Sequence, residues 1–235
     1  MKILAFDSTA KVASVAVCEN DKLLAQYNID NGLTQSELLL PMADAALKSL
    51  RLSYDDIDLF ATTVGPGSFT GVRIGTALVK GLAFGKDKPC YGVSTLEALA
   101  ENLRGLEGLL VPVMDARRSQ VYNAIFTSDG KSITRLTEDR AISLVALADE
   151  LKKYKDGPIY LCGDGYNVSR SALSEAGISP ADTPMLLISQ NAYSVAMVAY
   201  EQFKNGEYTT DLLLSPSYLR LPQAERERIE KGGSN

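Results

Sequence analysis

Gly65-Pro66-Gly67-Ser68-Phe69-Thr70-Gly71-Val72-Arg73-Ile74-Gly75 is the stretch on which the fold of this chain turns. The apolar run at 59–64 before it reads as a buried strand, and residues 72–84 after it have the apolar spacing of a helix. Gly65 and Gly67 around Pro66 force a turn between the two, because only glycine takes positive φ without strain. Ser68 or Thr70 stands where a hydroxyl caps the first turn of a helix. The N–H groups at such a helix start make an anion site in principle. The known phosphate signatures do not fit. A P-loop needs glycine and then lysine where Thr70 and Gly71 stand, and a dinucleotide fingerprint needs its third glycine at Thr70. On residue types alone, the glycines shape a turn and let the helix pack closely.

Upstream, strands are expected at 2–8, 12–18 and 23–29, joined by tight turns into a meander, followed by a helix at 35–50. Downstream, a strand at 89–93 leads into a helix that Ser94 or Thr95 can cap, with Glu97 completing a capping box. After Gly105 and Gly108 the same logic restarts: a strand at 109–114 ending in Asp115, then strands at 120–127 and 132–138. A helix at 143–154, a strand at 159–162 and a helix at 166–176 follow. A further strand is expected at 185–188, and a last helix at 191–203.

Each half thus begins with a strand that ends in aspartate and feeds a hairpin. Asp7-Ser8-Thr9 in the first half corresponds to Asp115-Ala116-Arg117-Arg118 in the second. This predicts a duplicated, two-lobed α/β architecture, the layout of the actin/hexokinase/Hsp70-like (ASKHA) fold, whose two hairpins grip ATP phosphates. The expected division is an N-terminal lobe at 1–106, with 191–222 packing back on it, a smaller lobe at 107–190, and a flexible tail at 223–235.

Composition narrows the function. At 235 residues the chain can bury about 70% of its unfolded surface. Its 46% hydrophobic and 23% charged content is that of an ordinary globule. A net charge of −5 argues against strong nucleic-acid binding by this chain alone. No apolar run is long enough for a membrane span, and Asp7 comes too early for a signal peptide. Cys18, Cys90 and Cys162 are far apart with no CxxC spacing, which points to a reducing cytoplasm and to neither a disulfide framework nor a zinc knuckle. There is no histidine. That removes Ser-His-Asp and Cys-His catalysis, histidine metal sites and the commonest general base together.

Two constellations remain. Asp7, Ser8, Thr9 and Asp115 stand where a Mg²⁺-nucleotide would lie between lobes, and Gly163 and Gly165 stand where such folds touch adenosine. The bulky Ala116, Arg117 and Arg118 replace the glycines a phosphate hairpin wants, and a lone GxG also reads as a plain turn. The helices say more. Helix 35–50 is apolar around most of its circumference, with Leu39, Met42, Ala43, Ala46 and Leu50 among its apolar positions. Helix 70–84 sets Gly75 among Val72, Leu78, Val79 and Leu82, and its long polar side chains, Arg73 and Lys80, share one stripe. This excess of apolar surface on both helices predicts a subunit interface formed by those ten residues. A charge at Met42 or Leu78 is then expected to break association and leave the monomer folded.

The exact strings add a resemblance. ILAFDSTAKVASVAV, GPGSFTGVRIGTALVKGLAFG, GVSTLEALA, MDARRSQVY and PSYLR resemble, in order, segments of the TsaB (YeaZ-like) family. QSELLLPM is similar to the family's HSExLLP segment with Gln35 in place of histidine, and MDARRSQVY has Gln120 in place of glutamate. The resemblance implies an ASKHA fold and a non-catalytic subunit that dimerises, with itself or with the paralogous transferase TsaD, through the two helices. The ATPase TsaE joins that assembly, which transfers threonylcarbamoyl to the tRNA adenosine next to the anticodon. It implies no metal and no cofactor on this chain alone, leaving ATP or ADP at an interface of the complex open, and tRNA contact only through the complex. Arg117, Arg118 and loop 65–71 become structural or partner-facing. The competing expectations are an ATP-dependent small-molecule kinase of the same fold and, ranked last for want of a histidine, a peptidase.

Overall fold

Alternation along the first strand decides which helices cover which face. In the computed structural model, which describes residues 1–154 and 157–220, β1 (Lys2–Asp7) points Leu4 and Phe6 to one side and Ile3 and Ala5 to the other. All four are fully buried, so both faces of the sheet are covered. β1 pairs antiparallel with β2 (Ala13–Glu19), which pairs with β3 (Lys22–Ile29), closing the expected meander. After α1 (Gln35–Leu50), β4 (Leu59–Gly65) joins β1 in parallel, and α2 (Phe69–Ala83) crosses over to β5 (Cys90–Ser94). The five strands run in the order β3-β2-β1-β4-β5.

The pattern repeats. After α3 (Thr95–Asn102), the long β6 (Glu107–Asp115) pairs antiparallel with β7 (Gln120–Asn123) near its end and with β8 (Phe126–Asp129) near its start. β9 (Ile133–Arg135) and β10 (Arg140–Ser143) extend this side, and β11 (Ile159–Cys162) joins β6 in parallel on the other. Between β10 and β11 runs α4 (Leu144–Leu151), and α5 (Tyr166–Glu175) follows; both pack on this sheet. The last helix, α6 (Ala192–Lys204), returns to the first sheet, where Val195, Ala196 and Ala199 pack on Ile3, Ala5 and Ala61. α3 sits between, with Leu96 and Leu99 against Leu110 and Met114 of the second sheet. The result is the duplicated α/β fold of the ASKHA kind.

Two expected elements differ and one was not expected. The strand at 120–127 is two strands, because Asn123 turns its amide onto the carbonyls of Pro112 and Ala124 and breaks the ladder there. β10 escaped the pattern, since Arg140–Ser143 is short and half polar. The apolar run at 185–188 is a 3₁₀ turn, its N–H groups bonded three residues back (Leu187 to Pro184, Ile188 to Met185), with Met185 86% and Leu186 90% exposed. The tail at 223–235 lies outside the described residues. No helix among the described residues is long and apolar enough to cross a membrane.

Candidate functional site

The two hairpins and the glycine turn meet at a cleft of about 590 Å³. One wall is Thr9 to Lys11 of the β1–β2 turn with Pro66 to Thr70, and the other is Met114 to Arg117, Tyr122 and Asp164. Chain 217–220 closes the mouth.

The first wall is built by hydrogen bonds between its own turns. Asp7 ends β1 with its carboxylate turned inward: Oδ1 accepts from the Thr9 N–H at 2.9 Å and the Thr9 hydroxyl at 2.6 Å. Asp7 is 1% exposed, and burial raises its pKa to about 6 against the opposing pull of the Thr9 bonds. Ser8 Oγ donates to the Gly71 carbonyl at 2.8 Å, and Ser68 N donates to the Thr9 carbonyl at 2.7 Å. Ser68 is the helix cap, its Oγ accepting from Gly71 N. Gly65 (φ +117°) and Gly67 (φ +156°) take the left-handed conformations expected of the turn, and a Cβ on Gly67 would lie 2.6 Å from the Thr9 carbonyl. A Cβ on Gly71 would overlap the Ser8 carbonyl, and one on Gly75 would sit 2.5 Å from Ser8 Oγ. These glycines let α2 lie directly on the β1–β2 turn.

On the second wall, Asp115 Oδ1 accepts from Arg117 N at 2.7 Å, and Asp164 Oδ1 accepts from Asp115 N at 2.9 Å. Arg117, Arg118 and Ser119 all take positive φ (62°, 54° and 55°), so bulky residues adopt the backbone that glycines would take in a phosphate hairpin. Gly163 and Gly165 press against the Val113 carbonyl, where any Cβ would crowd it. Of the residues expected to hold nucleotide, the structure therefore brings Thr9 and Asp115 to the cleft. Asp7, Ser8, Gly163 and Gly165 stand behind its walls as framework, because their polar atoms and small size serve turn-to-turn packing. Among the described residues, no group of three Cys, Asp or Glu side chains is placed to hold a metal ion.

The helix pair needs a larger correction. Leu39, Met42, Ala43 and Ala46 of α1 and Val72, Gly75 and Val79 of α2 are buried inside the monomer. Val72 lines the cleft and the others pack on the sheet or on the β1–β2 turn, so they do not face outward from the helix pair, and a charge at Met42 would strike the core. Leu50, Leu78 and Leu82 are half-buried at the edge of that core, as is Ile74. The outer surface carries instead Leu40 (41% exposed), Pro41, Ala45, Ala77, Gly81 and, just past α2, Phe84 (72% exposed). The apolar content of the helices was legible; which side of each faced the sheet was not.

The 217–220 segment, part of the PSYLR string, carries side chains to which the string gave no role. Ser217 N donates to the Val64 carbonyl at 2.7 Å. Tyr218 stacks on Phe69 with centroids 4.8 Å apart, and its hydroxyl accepts from Arg73 Nε at 2.9 Å. Arg220 donates to Gln120 Oε1 and to the Ala116 carbonyl and lies over the Tyr122 ring. Gln35, for its part, donates to the carbonyls of Ala10 and Lys11 and ties α1 to the first hairpin. The string PSYLR was the available signal for the clasp; its partners, far away in sequence, were not.

A family described as TsaD, tRNA N6-adenosine threonylcarbamoyltransferase, matches residues 34–227. The tRNA threonylcarbamoyladenosine biosynthesis protein TsaB of Bacillus subtilis is 30% identical over 98% of this chain and 99% of its own. The protein of the same name from Haemophilus influenzae is 36% identical over 94% of each chain. Among solved structures, YeaZ from Pseudomonas aeruginosa superposes with a TM-score of 0.75 at 22% identity, covering 93% of this chain and 99% of that one.

Proposed function

The chain belongs to the TsaB family of tRNA threonylcarbamoyladenosine biosynthesis proteins, and from that premise we infer that it is a non-catalytic subunit that docks on the threonylcarbamoyltransferase TsaD. Its working surface is the outer side of α1 and α2. The observation that carries this reading is the strip formed by Leu40, Leu50, Ile74, Leu78, Leu82 and Phe84, with Ala77 and Gly81 small enough for close approach by a partner helix. The inward carboxylate of Asp7 and a sequence without histidine support a supporting role over chemistry. In the absence of TsaD the same strip closes a homodimer; TsaE joins the heterodimer, and any ATP or ADP is held at an interface of the assembly. Three buried, unpaired cysteines suit a reducing cytoplasm.

Light scattering on the chain alone, and mixed with TsaD, tests this. A homodimer that gives way to a heterodimer with regained tRNA modification is expected. A chain that stays monomeric and ignores TsaD defeats the reading.

A further inference from the structure

A stack of flat groups runs from the surface of α2 into the cleft. The Arg73 guanidinium lies 3.9 Å from the Phe69 ring centroid, Phe69 stacks on Tyr218, and Tyr218 is 42% exposed where it lines the cleft. Across the opening, Arg220 sits 5.5 Å from the Tyr122 centroid. Lys11, exposed on the β1–β2 turn, lines the same space. Arg73 and Arg220 are held by a phenol, aromatic rings, an amide and a backbone carbonyl, and among the described residues their charge is not spent on carboxylates. The acids of the cleft, Asp115 and Asp164, are turned to backbone N–H groups.

An exposed aromatic ring flanked by cations is what a single-stranded polynucleotide needs, since bases stack and phosphates pair. The cations come from three separate elements, the first hairpin, α2 and the closing segment, which suits an extended strand better than one convergent triphosphate. We propose that this rim contacts an unpaired stretch of the tRNA, with a base on the open face of Tyr218 and phosphates beside Lys11 and Arg73. The proposal rests on the reading of the chain as a subunit of a tRNA-modifying complex.

The test is the binding of unmodified, transcribed tRNA to the complex with TsaD, its assembly verified by light scattering, across a salt series. Tyr218→Leu is expected to weaken binding about tenfold. Lys11→Glu is expected to weaken it several-fold and to lower the salt slope by about one. Should Tyr218→Leu fail to fold, Lys11→Glu still decides, because Lys11 is exposed on a turn. Wild-type affinity and slope in an intact Lys11→Glu complex overturn the RNA contact. Failure of the wild-type chain to assemble, read by light scattering, overturns the docking reading and with it the RNA contact, which needs the complex. Tyr218-dependent binding of ATP with no dependence for tRNA makes the cleft a mononucleotide site and also overturns it.

Discussion

Met42 and Leu78 look alike in sequence and stand in opposite situations. Met42 packs in the core with Leu4 and Phe6, whereas Leu78 is half-buried at the outer edge of the same cluster. Met42→Asp is expected to cost about 3 kcal/mol or more, read as a large fall in thermal midpoint, because a charge would be buried without a partner. Leu78→Asp is expected to leave the midpoint within a few degrees and to abolish association in light scattering; a stable, fully associated Leu78→Asp protein contradicts the docking surface. Asp7 makes a second residue-level case. Its pKa rises to about 6 on folding, so the folded chain holds that proton more tightly than the unfolded one. The stabilisation is complete below the unfolded carboxylate's pKa and is lost as pH rises through about 6. Urea denaturation between pH 4 and pH 7 should show wild type losing on the order of 3 kcal/mol relative to Asp7→Asn, which has no such proton. A difference that does not change with pH refutes it.

At the scale of the element, α2 depends on glycine on the side facing the first hairpin. Gly71→Ala would push a methyl group into the Ser8 carbonyl, and a loss of roughly 2 kcal/mol, several degrees in a melting curve, is expected. Gly81→Ala, with open space around its Cβ, is the control and should be neutral or slightly stabilising. This contrast marks the limit of reading elements from sequence. The meander, the glycine turn and the helix after it were legible because each carries a local signature: alternation, positive-φ glycines and a hydroxyl cap at Ser68. Facing was not legible, because α1 and α2 carry small and apolar residues on both sides, and only the sheet decides which side is inward. The 3₁₀ turn at Met185–Leu187 shows the converse error, since an apolar run becomes a strand only where a neighbouring strand offers it a ladder. The cleft rim needed contacts between residues about 100 to 145 apart, Arg220 with Gln120 and Arg73 with Tyr218, which no local pattern encodes.

For the whole molecule, the segment at 217–220 is the strap that spans both halves, bonded to Val64 on one side and to Ala116 and Gln120 on the other. Gln120→Glu would turn the Arg220 hydrogen bond into a charge-assisted one at a half-buried site, and a gain of up to about 1 kcal/mol in unfolding free energy is expected. Unchanged or lowered stability would show that Arg220 does not hold Gln120 in solution. The return of α6 to the first sheet bears on how the chain is made. Ile3, Ala5 and Ala61 wait for Val195 and Ala196 to cover them. On a ribosome adding roughly 5–20 residues per second, the first half emerges on the order of ten seconds before its lid. Through that interval one face of a five-stranded sheet stands open, so this protein should engage a chaperone as a nascent chain and complete its first lobe only once Ala192–Lys204 has been made.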